Sequence, residues 1–228
     1  MSSELAFVMP DDSCLDELAY GVRYDPVRDP RTRRNARSIT GELISIRDSV
    51  CHVFESLGEM RTAIILDVSH DVAGFRTQPE RMQLDDGGTY TPDVQIWWRD
   101  GRVTYREVKP DEKLVERPDL DGRVDAIRRA CAERGADFEI VTNRWYSDPV
   151  RLRNANLLRH AFRRSRADDL AAVADLLSRR GALPLSEVPR ESGLGPAGHY
   201  AALALVAARR CHVDLGMAIG FDTMLRLA

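Results

Sequence analysis

Tyr90-Thr91-Pro92-Asp93 is followed, one hairpin's length later, by Glu107-Val108-Lys109-Pro110. Two carboxylates and an ammonium on neighbouring strands suit one kind of chemistry. Carboxylates held close together repel unless a cation lies between them, and hard oxygen donors select Mg²⁺ or Mn²⁺. A lysine beside such an ion can orient or help deprotonate a water, or offset charge building on a phosphate. The set fits phosphodiester hydrolysis. Lys109 stands out on composition as well: of the 33 basic residues only Lys109 and Lys113 are lysines. Arginine fills the ordinary surface positions, so a lysine here hints at a specific need.

These groups meet only if the chain between them forms a hairpin. Asp93 to Trp98 is rich in strand formers, Arg99-Asp100-Gly101 is a turn signal, and Val103 to Val108 reads as the returning strand. A turn centred near residue 100 makes Asp93 and Glu107 symmetric partners. Strand alternation then puts Glu107 and Lys109 on one face. Asp119 to Arg134 has helical spacing and ends at Gly135, and Phe138 to Thr142 reads as a further strand. A strand, helix and strand in that order predict a crossover, with the Phe138 strand parallel to the Val103 strand. Upstream, Val50, Val53, Phe54 and Leu57 suggest an amphipathic helix from Asp48 to about Leu66. Short strands are expected at Asp71 to Phe75 and Arg81 to Leu84.

The 228 residues, 43% hydrophobic and 30% charged, allow one good core or two modest ones. No apolar run is long enough to span a bilayer, and the first 19 residues carry acids where a signal peptide would be basic, so a cytoplasmic protein with no membrane partner is expected. The four cysteines form no CxxC pair and the five histidines no HExxH, which leaves no zinc or redox motif. Reduced thiols, mostly buried, are expected. Net charge is −3, but two segments are strongly basic: Arg28 to Arg37, and Arg151 to Arg166, whose six arginines have no acid among them. With no local acids to pair with, Arg151, Arg153, Arg159, Arg163, Arg164 and Arg166 are candidates for DNA phosphate contact.

Residues 1–38 read as an irregular arm with a short helix near Leu15 to Tyr20. Residues 39–150 form an α/β unit with a mixed sheet flanked by helices. Residues 151–228 form a small helical module with helices at Asp169 to Arg180, Leu185 to Ser192 and His199 to Arg210. A terminal hairpin at Cys211 to Leu225 gives that module the outline of a winged helix. Its third helix offers few base-reading groups, which favours protein contact or backbone contact.

Pro92-Asp93, a hairpin and Glu107-Val108-Lys109 together resemble the PD-(D/E)-x-K nuclease signature. The surroundings narrow the resemblance. Phe54-Glu55-Ser56-Leu57-Gly58-Glu59, Ile64-Ile65-Leu66-Asp67, Phe75-Arg76-Thr77-Gln78-Pro79, Thr91-Pro92-Asp93 and Glu107-Val108-Lys109-Pro110 resemble, in order and spacing, the amino-terminal domain of TnsA endonucleases over about Ile39 to Thr142. Ala63 to Asp67 follows that pattern loosely. The resemblance implies a restriction-endonuclease-like core and a Mg²⁺ site, with Mn²⁺ able to substitute. It implies Asp93 and Glu107 as main ligands, Glu59 as a further carboxylate from an upstream helix, Val108 as a carbonyl ligand and Lys109 as the catalytic lysine. It also implies a transposase subunit that nicks 5′ ends beside a DDE transposase and an ATPase regulator.

Ordinary readings compete. Glu107 and Lys109 would by default be a solvated edge, and Asp93 a turn residue. Glu55 reads as a structural acid, and Gln78 as a DNA contact, a supporting residue or a turn amide. A stand-alone restriction or repair nuclease, or a non-catalytic DNA-binding adaptor on a nuclease scaffold, also fits the sequence.

Overall fold

The computed structural model describes residues 22–23, 26–27, 40–111 and 120–228. The expected helix near Leu15 to Tyr20 and the Arg28 to Arg37 cluster lie outside these residues. The arm contributes one short strand, β1 (Val22–Arg23), which runs parallel to β3 (Val50–Phe54); β2 (Gly41–Ile44) pairs antiparallel on the other side of β3. The helix expected from Asp48 therefore starts late. Val50 to Phe54 is a strand, and α1 spans Leu57–Val68. Val50, Val53 and Phe54 are buried, which mimics helical spacing, but strand-forming types fill the segment and Ser56 caps the helix after it.

The central sheet runs β4 (Val72–Thr77), β7 (Val94–Trp98), β8 (Val103–Val108), β9 (Asp137–Val141). A two-stranded ribbon of β5 (Met82–Gln83) and β6 (Thr89–Tyr90) links β4 to β7. β4, β7 and β8 are successively antiparallel, and β9 joins parallel to β8 after the crossover helix α2 (Leu120–Ala132). The sheet is mixed, as expected. Gly135, at φ +67°, supplies the left-handed turn between α2 and β9. α1 covers one face: Ala63 and Leu66 pack with Phe54, Val72, Phe75, Val94 and Ile96. On the other face Tyr105 packs with Ala126, Ile127, Ala130 and Cys131 of α2, and Met82, Leu84 and Tyr90 of the ribbon close the edge.

Beyond α3 (Asn143–Tyr146), α4 (Pro149–Arg164) starts with Pro149 in its first turn and Asp148 as its cap, whose Oδ1 accepts the Arg151 N–H at 2.8 Å. Then come α5 (Ala167–Arg180), β10 (Ala182–Pro184), α6 (Val188–Glu191), α7 (Pro196–Ala207), β11 (Cys211–His212) and β12 (Met224–Leu227). The three strands form an antiparallel sheet in the order β10-β12-β11. Ala201 to Ala207 of α7 are all buried. One apolar core runs from Ile65 and Val68 of α1 through Ala155 and Leu158 of α4 to α5 and α7. The carboxy-terminal module is thus packed onto the helix that covers the central sheet. Among the described residues no helix is long and apolar enough to cross a membrane, and Cys51, Cys131 and Cys211 are free thiols.

Candidate active site

The hairpin register is Val94↔Arg106, Gln95↔Tyr105, Ile96↔Thr104, Trp97↔Val103. Continued by one position it sets Asp93 opposite Glu107. The Val108 N–H donates to Asp93 Oδ2 at 2.8 Å, which ties the acid to the strand that carries the other two groups. Lys109 Nζ is ion-paired with Glu107 Oε1. The Asp93 carbonyl accepts the Gln78 N–H at 2.9 Å, so the turn after β4 fixes the start of β7.

Glu59 reaches the same neighbourhood from the first turn of α1. Its Oε1 accepts from Ser56 Oγ at 2.8 Å and its Oε2 from the Glu55 N–H at 3.0 Å, while the Glu59 N–H donates to Ser56 Oγ at 3.1 Å. This is a reciprocal helix cap that also positions a carboxylate. Gly58 lets α1 approach: a Cβ there would lie 3.0 Å from Tyr146 Cζ and 3.2 Å from Val108 Cγ1.

Electrostatics bind the four groups into one system. Burial, then the charges of Glu107 and Glu59, push the Asp93 pKa well above the usual aspartate value, against the pull of Lys109 and the Val108 N–H. Burial also raises Glu59, which the Glu55 N–H and the Ser56 hydroxyl oppose. Lys109 is depressed by burial but raised more by Glu107 and Asp93, so on balance it holds its proton more tightly. Among the described residues no three His, Cys, Asp or Glu side chains already form a compact ligand set. Glu59 is turned to its cap, and Glu107 to Lys109 and Tyr90. The donor chemistry nonetheless fits a hard divalent cation: carboxylates crowded enough to raise the Asp93 pKa are the groups that such an ion would relieve.

Residues 69–143 match the family model described as the TnsA-like endonuclease N-terminal domain. Over these residues the chain is similar to a TnsA-like endonuclease. The matched stretch contains Asp93, Glu107 and Lys109 but starts after Glu59, which stands outside it on α1. No curated protein matches the chain.

Tyr90 was not expected at this site. Its hydroxyl donates to Glu107 Oε2 at 2.6 Å, and the only trace of it in the sequence is its place three residues before Asp93. Two candidate DNA contacts need correction. Gln78 is 2% exposed, adopts φ +46° and is tied to Asp93 by its backbone, so its side chain is not on a surface that DNA can reach. Arg159 is buried in an ion pair with Asp67, and it donates to the Ile44 carbonyl at 3.0 Å. Its acid lies on α1, too far upstream for the local charge pattern to reveal. Arg151, Arg153, Arg163, Arg164 and Arg166 remain exposed. Arg151 lies 5.6 Å from the Trp145 ring centroid, Arg164 lies 5.8 Å from that of Tyr200, and Arg163 donates to the Ile44 carbonyl at 3.0 Å.

The raised Asp93 pKa has a consequence for stability. Above the ordinary aspartate value of 3.8, the folded chain keeps a proton that the unfolded chain releases, so Asp93 favours folding at low pH and loses that contribution as pH rises through its folded pKa. In chelator, Asp93→Asn is therefore expected to melt higher than wild type at neutral pH, with the gap closing below about pH 3.8. Thermal melts across pH check this; equal melting temperatures at neutral pH would contradict it.

Proposed function

We propose that the chain is a Mg²⁺-dependent DNA endonuclease that acts as the TnsA-like subunit of a heteromeric transposase, cutting at the ends of a mobile element. The observation that carries this reading is the convergence of Asp93, Glu107 and Lys109 on one hairpin within a TnsA-like endonuclease domain. Asp93 and Glu107 would hold the cation, with Mn²⁺ as a substitute, and Glu59 and the Val108 carbonyl would complete its protein ligands. The ion would polarise the phosphate and lower the pKa of a bound water. Lys109, protonated in the field of its neighbours, serves as an ammonium that positions the nucleophile and offsets phosphate charge rather than as the group that takes the proton.

DNA would lie along α4. The helix has no acidic residue between Pro149 and Arg164, and its exposed positions include Arg151, Arg153, Arg163 and Arg164, with Arg166 just beyond its end. The carboxy-terminal order of helix, strand, two helices and two strands supports a winged-helix module. The burial of α7 leaves little of that helix for base reading, which favours contact with DNA backbone or with protein partners, a DDE transposase and an ATPase regulator among them. A cytoplasmic location fits these partners.

The purified chain, alone and mixed with its transposase partner and end-sequence DNA, should nick DNA in Mg²⁺ or Mn²⁺ but not in chelator. Equal nicking with and without divalent cation, or none in either setting, would refute the reading. Glu59→Gln separates the two jobs of that residue, because glutamine at this position still closes the cap but carries no charge. It should leave the melting temperature within a few degrees of wild type and reduce cleavage by roughly 10-fold or more. Full activity in this variant would confine Glu59 to capping.

A further inference from the structure

Tyr90 sits on β6, opposite Met82 of β5. Its ring is buried among Met82, Leu84, Tyr105, Ile127 and Cys131, with the Phe138 ring in edge contact at 6.1 Å. A buried tyrosine needs a partner for its hydroxyl. This one uses Glu107: the 2.6 Å separation is in the range of a hydroxyl donating to an ionised carboxylate.

The two oxygens of Glu107 therefore have separate partners. Oε2 is held by a rigid ring anchored in the core beneath α2, whereas Oε1 is paired with the flexible ammonium of Lys109. We propose that Tyr90 is a positioning residue that fixes the Glu107 carboxylate through Oε2, so that Oε1 is the oxygen offered to a divalent cation. Groups that donate to a ligating carboxylate hold its plane and set its orientation, and losing them typically weakens metal affinity by about 10- to 100-fold. The inference rests on the metal-dependent reading of the site and assigns a role to a side chain outside the expected ligand set.

The test is calorimetric titration of the full chain with Mn²⁺, comparing wild type, Tyr90→Phe, Asp93→Asn and Met82→Leu. Met82→Leu disturbs the same packing without touching the hydroxyl. The inference predicts that Tyr90→Phe remains folded and binds Mn²⁺ about 10-fold more weakly, while Met82→Leu binds like wild type even if its melting temperature drops. Wild-type affinity in Tyr90→Phe alongside lost binding in Asp93→Asn would overturn the role of Tyr90 and leave the metal site standing. An equal loss in Met82→Leu and Tyr90→Phe would reduce Tyr90 to a packing residue. Unchanged binding in Asp93→Asn would overturn the site itself, and the Tyr90 inference with it.

Discussion

Replacing Lys109 or Asp93 with alanine is expected to reduce DNA nicking by at least roughly 10³-fold while leaving the chain folded. Asp93 is held by one hydrogen bond from the Val108 N–H and is crowded by Glu107 and Glu59, so its loss removes repulsion as well as a contact. Lys109 is one-third exposed and lies past the end of β8, where its stem supports little of the core. The structural cost of either change is therefore small and the chemical cost large. A pre-positioned charge acting on a developing phosphate charge is difficult to replace. Arginine at position 109 should rescue poorly, because a planar guanidinium cannot act as the compact point charge that the site accommodates. Nicking rates on supercoiled DNA in Mg²⁺, read alongside circular dichroism, decide this. Near-wild-type nicking by either alanine variant would rule the site out.

The largest effect on stability is expected away from that hairpin. Asp67, on α1, is fully buried and accepts from Ser45 Oγ at 2.7 Å and from the Ile46 N–H at 3.1 Å, in addition to pairing with Arg159 of α4. Beside it, the guanidinium of Arg47 donates to the carbonyls of Leu66, Asp67 and Ser69 and so closes the carboxy-terminal end of α1. Arg159→Ala leaves the Asp67 carboxylate buried without its countercharge. Breaking a buried pair in this way costs about 3–5 kcal/mol, a fall in Tm of roughly 10 °C for a chain of this size. Arg163→Ala, on an exposed position of the same helix, should cost less than about 1 kcal/mol. Thermal melts of the two variants check the contrast, and equal small losses would mean that Arg159 is not the clasp between α1 and α4.

The hairpin was legible because two independent periodicities agreed there. Strand alternation and a turn centred on Asp100 leave one register, and Val94↔Arg106 is that register. The crossover through α2 was legible for a similar reason, since a strand, a helix and a strand leave few ways to pack. The strand at Val50–Phe54 was misread because buried residues at 50, 53 and 54 satisfy a helical spacing when the segment is short. Arg159 was misjudged because its partner is remote in sequence: a run of arginines with no local acid looks unpaired until the fold brings Asp67 to it. Of the three readings open for Gln78, burial removes the DNA contact and leaves the supporting and turn roles, a choice that depends on a positive φ the sequence does not show. Glu59 carries two signals in one residue, a capping pattern with Ser56 and a carboxylate beside Asp93, and the residue types at that turn are compatible with both. Tyr90 had only its closeness to Asp93 in the chain, and the reach of its hydroxyl depends on the ribbon and on α2 together.

Crystals of the wild-type chain soaked in Mn²⁺ and measured for anomalous scattering bear on all of this at once. A cation peak is expected within bonding distance of the Asp93 and Glu107 carboxylates, and it should be absent from crystals of Asp93→Asn soaked in the same way. No peak there at saturating Mn²⁺, or a peak that survives Asp93→Asn unchanged, would contradict a metal-dependent nuclease built on this hairpin.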